Sequence, residues 1–202
     1  MLRTVLNYLS FQDDVQFLAF KQDYLQNSVW KTAFYIHVFS AVIALFAGFT
    51  QFSIQFLAHH RMLHKKLGRL YVWNILFVNA PCALVMAIYA NGGILAKLAF
   101  LTLDFLWFGM TFKAVKSARM GHFQEHRRFM IRSYALTFSA ITLRTWKIIL
   151  TQTAIVGLSN LYVMEAWLGF LPNLVLAELC ILLSIKGYSV QGDQQKGDHA
   201  EA

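Results

Sequence analysis

Between Thr32 and Leu57 the chain carries no charged residue, and its one histidine there is His37. As a helix rising ~1.5 Å per residue, such a run is more than long enough to cross a ~30 Å hydrocarbon core. A bilayer offers no water to backbone amides, so a helix that satisfies its own hydrogen bonds is the form this stretch must take. Four further apolar runs follow: Leu70 to Ala90, Ile94 to Phe112, Phe129 to Leu150 and Leu161 to Ile185. They predict an all-α integral membrane protein, a bundle of five transmembrane helices whose four-helix core is two hairpins. Composition agrees, with 57% hydrophobic residues, 14% charged and a mean hydropathy of +0.48.

The net charge of +8 is gathered in two short loops, the pattern of topology determinants rather than of a nucleic-acid surface. The first holds Arg61, Lys65, Lys66 and Arg69 with no acid; the second holds Lys113, Lys116, Arg119, Arg127 and Arg128 against Glu125 alone. The segment from Thr151 to Asn160 is uncharged. Basic loops stay inside, so the expectation is an N-terminus outside and a C-terminus in the cytoplasm. Residues 1–31 read as an interfacial segment, with a helix capped by Ser10 and carrying Asp13 and Asp14 in its first turn. Residues 32–186 are the bundle and residues 187–202 a flexible polar tail. Pro81 should kink the second span and free the carbonyl of Phe77; Pro172 lies in the fifth. Cys82 and Cys180 fall in apolar runs and read as small hydrophobes.

Polar chemistry concentrates at the two basic junctions. Each has a His-x-x-x-His spacing, His60 with His64 and His122 with His126, then two basic residues, then an Arg-x-Tyr entering an apolar run. Residues four apart on a helix face the same way, so each pair is a candidate metal site. Alternatively, His64 and His126 could hold haem b from two helices, with Trp73, Phe77, Phe129 and Met130 as walls and Lys65, Arg69, Arg127 and Arg132 as propionate anchors. The bland alternative is interfacial histidines beside lipid phosphate. Di-iron chemistry of the membrane oxygenase type needs more histidines than are present.

Within the spans, His37, Ser40, Ala44, Gly48, Gln51 and Gln55 form a polar stripe on the first helix. Such a face should look inward, either as interhelical packing or as a ligand wall. Asp104 and Arg144 are buried charges in the same half of the bilayer, and a salt bridge between them is the economical expectation. No nucleophile–base–acid set and no phosphate-cradling glycine loop is visible, which points away from hydrolytic or nucleotide-driven chemistry.

His37, Gln51, the run from His64 to Tyr71, and the run from His126 to Thr137 continuing to Arg144 resemble a bacterial family of predicted membrane proteins, domain of unknown function 2306. The resemblance covers about residues 15–147, with Phe129 where that family often has Trp. It implies a multi-pass protein of the bacterial inner membrane with intramembrane histidines, and no activity. Two functional readings follow. One is a small redox protein holding haem b or a transition metal through histidines at the cytoplasmic side and exchanging electrons with quinone or another electron-transfer partner. The other is a non-redox protein that binds lipid or a small molecule, or assists a membrane partner.

Overall fold

A computed structural model describes residues 2–12, 17–52, 54–153 and 158–198. Asp13, Asp14 and the centre of the segment between the fourth and fifth spans lie outside the described residues. Every regular element among those described is helical.

The chain starts with α1 (Leu2–Asn7) and three short 3-10 turns that end at Tyr24. The first span is α2 (Ser28–Phe49), four residues earlier than the uncharged run because Asn27 caps it. The Asn27 side-chain oxygen accepts from the amides of Val29 and Trp30 at 3.1 and 3.2 Å. A 3-10 turn (Thr50–Phe52) and α3 (Ile54–His59) lead to α4 (Arg61–Asn74). The second span continues through a π-helical turn (Ile75–Asn79) into α5 (Ala80–Ile88). Pro81 has no amide for the Phe77 carbonyl, and the wide turn just before it absorbs that lost bond.

The third and fourth spans are α6 (Gly93–Arg119) and α7 (Phe123–Thr153), a hairpin closed by Met120–His122. The fifth is two helices, α8 (Leu158–Leu168) and α9 (Leu171–Asp198). Pro172 cannot donate to the Leu168 carbonyl, so the helix breaks at Gly169 and Phe170. The Thr142 hydroxyl and the Asn173 amide donate to the Gly169 carbonyl there, at 2.5 and 3.3 Å. The backbone of the polar tail continues α9 as far as Asp198.

Among the described residues four stretches are long and apolar enough to cross a membrane: Ser28–Phe52, Arg61–Ile88, Gly93–Arg119 and Asn160–Ser184. The α7 helix has the length, but Arg132, Arg144 and Lys147 dilute its apolar content. It lies inside the bundle, against α2, α6, α8 and α9, where such groups can be tolerated. Many large apolar side chains on the other helices, such as Phe46, Phe49, Trp73, Phe77 and Phe105, face outward, as a lipid-embedded surface requires. The fold is that of an all-α membrane protein.

Small residues set the helix spacing. A Cβ at Gly48 would lie 2.5 Å from the Tyr134 ring, so glycine there lets α7 close on α2. At Gly92, φ is +84° and the Tyr162 ring would lie 2.8 Å from a Cβ, which ties the α5–α6 turn to α8.

The N-terminal segment is not a single interfacial helix. Val5, Tyr8 and Leu18 are buried in a cluster with Trp30, Phe34 and Val38 of α2. Tyr8 meets Phe34 edge-on at 5.1 Å, and Phe34 stacks on Trp30 at 5.6 Å. This segment closes one end of the bundle, and the two basic junctions lie at the other.

Candidate functional site

The middle of the bundle is tied by a buried hydroxyl net. Tyr71 Oη lies 2.9 Å from Ser133 Oγ and 2.8 Å from Thr137 Oγ1. The Trp107 indole donates to Thr137 Oγ1 at 3.0 Å, and Thr111 Oγ1 lies 2.7 Å from Ser133 Oγ. Thr111 also donates to the Trp107 carbonyl at 2.7 Å and Thr137 to the Ser133 carbonyl at 3.1 Å. These six contacts share five protons, so one contact lacks a hydrogen in any arrangement of the hydroxyls. A second polar string joins α2 to the π turn. Asn74 donates to the Ser40 carbonyl at 2.7 Å, Asn79 donates to Asn74 at 3.1 Å, and His37 Nδ1 lies 3.3 Å from the Asn79 carbonyl oxygen.

Above the hydroxyl net, toward the N-terminal segment, lies a cavity of about 770 Å³. Trp30, Phe34, Phe100 and Trp107 give it aromatic walls, and Tyr8, Phe17 and Lys21 close it from the N-terminal segment. Three of the four buried polar groups expected from sequence line it: His37 from α2, Asp104 from α6 and Arg144 from α7. The fourth, Gln51, lies near the opposite end, with its carbonyl oxygen against Gly68. The stripe on α2 faces inward through Gln51, but Gln55 is exposed because the chain turns at Thr50–Phe52 before α3.

The expected Asp104–Arg144 salt bridge does not form. Asp104 Oδ1 is buried without a hydrogen-bond partner. Arg144 donates to the Ala140 carbonyl of its own helix, and among the described residues no carboxylate pairs with it. Sharing a depth in the bilayer is not enough; the two project from different walls of an open space. Two charged lining groups escaped the sequence reading. Glu165 on α8 lies within electrostatic reach of Lys147. Lys21 donates to the Tyr89 carbonyl and, at 2.6 Å, to Asn91 Oδ1, with its ammonium 4.7 Å above the Tyr24 ring. Burial, with Lys97 nearby, pushes Lys21 down to about 8. The one sequence signal for it was a lone lysine in an otherwise aromatic stretch.

At the basic end, His64 and His126 lie within electrostatic reach of one another. His126 Nδ1 is 2.8 Å from the Ala114 carbonyl oxygen, which leaves its Nε2 as the free ring nitrogen; His64 Nδ1 is buried without a partner. His60 and His122 stand one helical turn before them. Both precede their helices, with the amides of His64 and His126 closing onto their carbonyls at 2.9 Å. His122 faces Glu125 at 3.7 Å. The expected surroundings also differ. Arg132 is held by Glu178 of α9 through two contacts of 2.5 and 2.8 Å, and Arg69 turns back to the Lys65 carbonyl at 3.4 Å. Trp73 and Phe77 pack on each other at the outer surface, whereas Met130 is buried and Phe129 half-buried. No group of three or more metal-binding side chains occurs among the described residues.

The family model described as a predicted membrane protein, domain of unknown function 2306, matches residues 34–181. The chain belongs to this family. No curated protein and no solved structure matches it. The matched region runs from α2 into α9, so the family region supplies His37, Asp104, Arg144 and both junction histidines. The Tyr8, Phe17 and Lys21 roof lies before the matched residues.

Proposed function

We propose that this membrane protein binds an amphipathic small molecule or lipid in the cavity beneath its N-terminal segment. The observation that carries this reading is the cavity itself: about 770 Å³, walled by aromatic and aliphatic side chains, with His37, Asp104 and Arg144 opening onto it. Sites for drug-sized ligands occupy about 300–1,000 Å³ and combine apolar walls with a few polar groups. A quinone and a single-chain lipid both meet that description. With the basic junctions in the cytoplasm of a bacterial inner membrane, the cavity belongs to the outer half of the bilayer.

The test is saturable binding of an environment-sensitive fluorescent fatty acid to the purified protein in detergent. Ala140→Trp, which fills the cavity from α7, should suppress the signal while the thermal transition persists. Equal saturable binding by Ala140→Trp would remove the cavity as the site.

A second reading keeps the redox expectation. It is favoured by the mutual approach of His64 and His126 and by the Ala114 carbonyl that leaves His126 Nε2 available. A transition metal would be held by these two imidazoles. For haem b the surroundings fit less well, since Arg132 is engaged by Glu178 and Trp73 and Phe77 face outward. Visible absorption and elemental analysis of wild type and His126→Ala decide it. A metal retained by wild type and lost from the variant supports the reading, and a metal-free wild type ends it.

A further inference from the structure

The charges that line the cavity are not equivalent. Lys21 is caged by the Tyr89 carbonyl and Asn91, and Lys147 and Glu165 lie within reach of one another. Arg144 differs. Among the described residues its hydrogen bond goes to a carbonyl on its own helix, and the other charged or ionisable groups that feel it are His37 and Tyr8. His37 spends Nδ1 on the Asn79 carbonyl and adds no negative charge. Tyr8 Oη already accepts from the Phe17 amide at 3.2 Å.

A guanidinium at this depth, with no anion beside it among the described residues, is an expensive arrangement for a bilayer protein. It is offset when a guest brings the missing charge. Arginine also suits such a guest, because its fork of donors matches carboxylate and phosphate oxygens. The neighbouring walls are apolar and aromatic, so the rest of the guest must be hydrocarbon. Asp104 stands on another wall and forms no ion pair with Arg144.

We infer that the cavity selects an amphiphile with an anionic head, a carboxylate or a phosphate, whose charge is carried by Arg144. This rests on the cavity being a binding site and adds the chemical class of the guest. The head lies toward Arg144 and His37, and the chain runs along Trp30, Phe34 and Trp107. A neutral quinone gives Arg144 hydrogen bonds and no charge, so it satisfies the site less well.

The experiment displaces the fluorescent fatty acid with four competitors: an alkyl carboxylate, an alkyl phosphate and an alkyl alcohol of one chain length, and a short-chain quinone. In wild type, at least one anion should displace the probe about tenfold better than the alcohol, the effect of one charge-assisted hydrogen bond. The preferred head, carboxylate or phosphate, identifies the source. Arg144→Gln should level the anion and the alcohol, and Arg144→Lys should keep most of the preference. Should Arg144→Gln fail to fold, the wild-type ranking of heads decides alone. Equal displacement by anions and alcohol, a quinone that outcompetes both anions, or a preference that survives Arg144→Gln overturns the inference while leaving the cavity a binding site. Probe binding that Ala140→Trp leaves intact instead removes the underlying reading.

Discussion

Asp104 and Arg144 open onto one cavity and make no contact with each other. Two opposite charges in a low-dielectric space attract strongly if they can meet, so their separation is a statement about what the space is kept for. It also makes a thermodynamic difference. Side chains that share no partner change stability independently, within about 0.3–0.5 kcal/mol. Asp104→Asn and Arg144→Gln should therefore be additive in a double-mutant cycle followed by denaturation in detergent. A coupling above about 1 kcal/mol would mean that the two pair in solution.

The hydroxyl net makes a less intuitive prediction. Six contacts share five protons, and Tyr71 takes part in two of them. Tyr71→Phe removes one proton and two contacts, and the remaining four protons match the remaining four contacts. The cost should be small, about 0.6 kcal/mol, the average for interhelical hydrogen bonds in membrane proteins. Thr137→Val is different, because it removes both the 3.0 Å acceptor of the buried Trp107 indole N–H and a partner of Tyr71. That substitution should cost about 1–3 kcal/mol. The reverse order would show that the net is not arranged as described.

Much of this architecture could be read from the sequence. Uncharged runs of membrane-crossing length have one backbone solution, and a proline announces where a helix must deviate, so the spans and the disturbance near Pro81 were legible, whereas the break of the fifth span before Pro172 was not expected. The polar stripe on α2 was legible because a helix fixes the spacing of its own face. The cavity was not, since it is assembled from α2, α5, α6, α7, α8 and the N-terminal segment, whose mutual registers no local pattern encodes. For the same reason Arg132 looked free to meet a propionate, although α9 brings Glu178 to it. That α4 and α7 start just after His60 and His122 was not legible either, because spacing alone cannot say on which residue a helix starts.

The Arg132–Glu178 pair is bidentate and joins α7 to α9, with the Arg132 side chain 20% exposed and that of Glu178 47%. Partial exposure screens the pair, so its worth is modest. A cycle of Arg132→Gln and Glu178→Gln should give a favourable coupling of about 0.5–1 kcal/mol, falling as salt is raised. Zero coupling at low salt would show that the two ends of the fork do not hold α9 in place.

Orientation is checked with single cysteines at exposed positions on opposite ends of the bundle, Asp23 before α2 and Met120 after α6. In sealed cells a membrane-impermeant maleimide should modify Asp23→Cys and spare Met120→Cys until the membrane is opened. The reverse pattern would invert the protein and place the cavity in the cytoplasmic half.

Lys21 makes the closure of the cavity sensitive to pH. Its ammonium is removed from water between the Tyr89 carbonyl, Asn91 and the Tyr24 ring, and burial, helped by repulsion from Lys97, lowers it from 10.5 to about 8. The sign follows from proton counting. Between about 8 and 10.5 the undocked segment holds a proton that the docked one has released, so docking is favoured as pH rises. Below about 8 both forms are protonated and the dependence vanishes. Protection of the N-terminal segment from protease, or from hydrogen exchange corrected for its intrinsic pH dependence, should therefore increase across that window. Lys21→Met keeps an apolar stem in the same space and has nothing to titrate, so its profile should be flat. Protection that declines over the window in wild type, or an equal slope in Lys21→Met, would rule out Lys21 as the group that couples closure to pH.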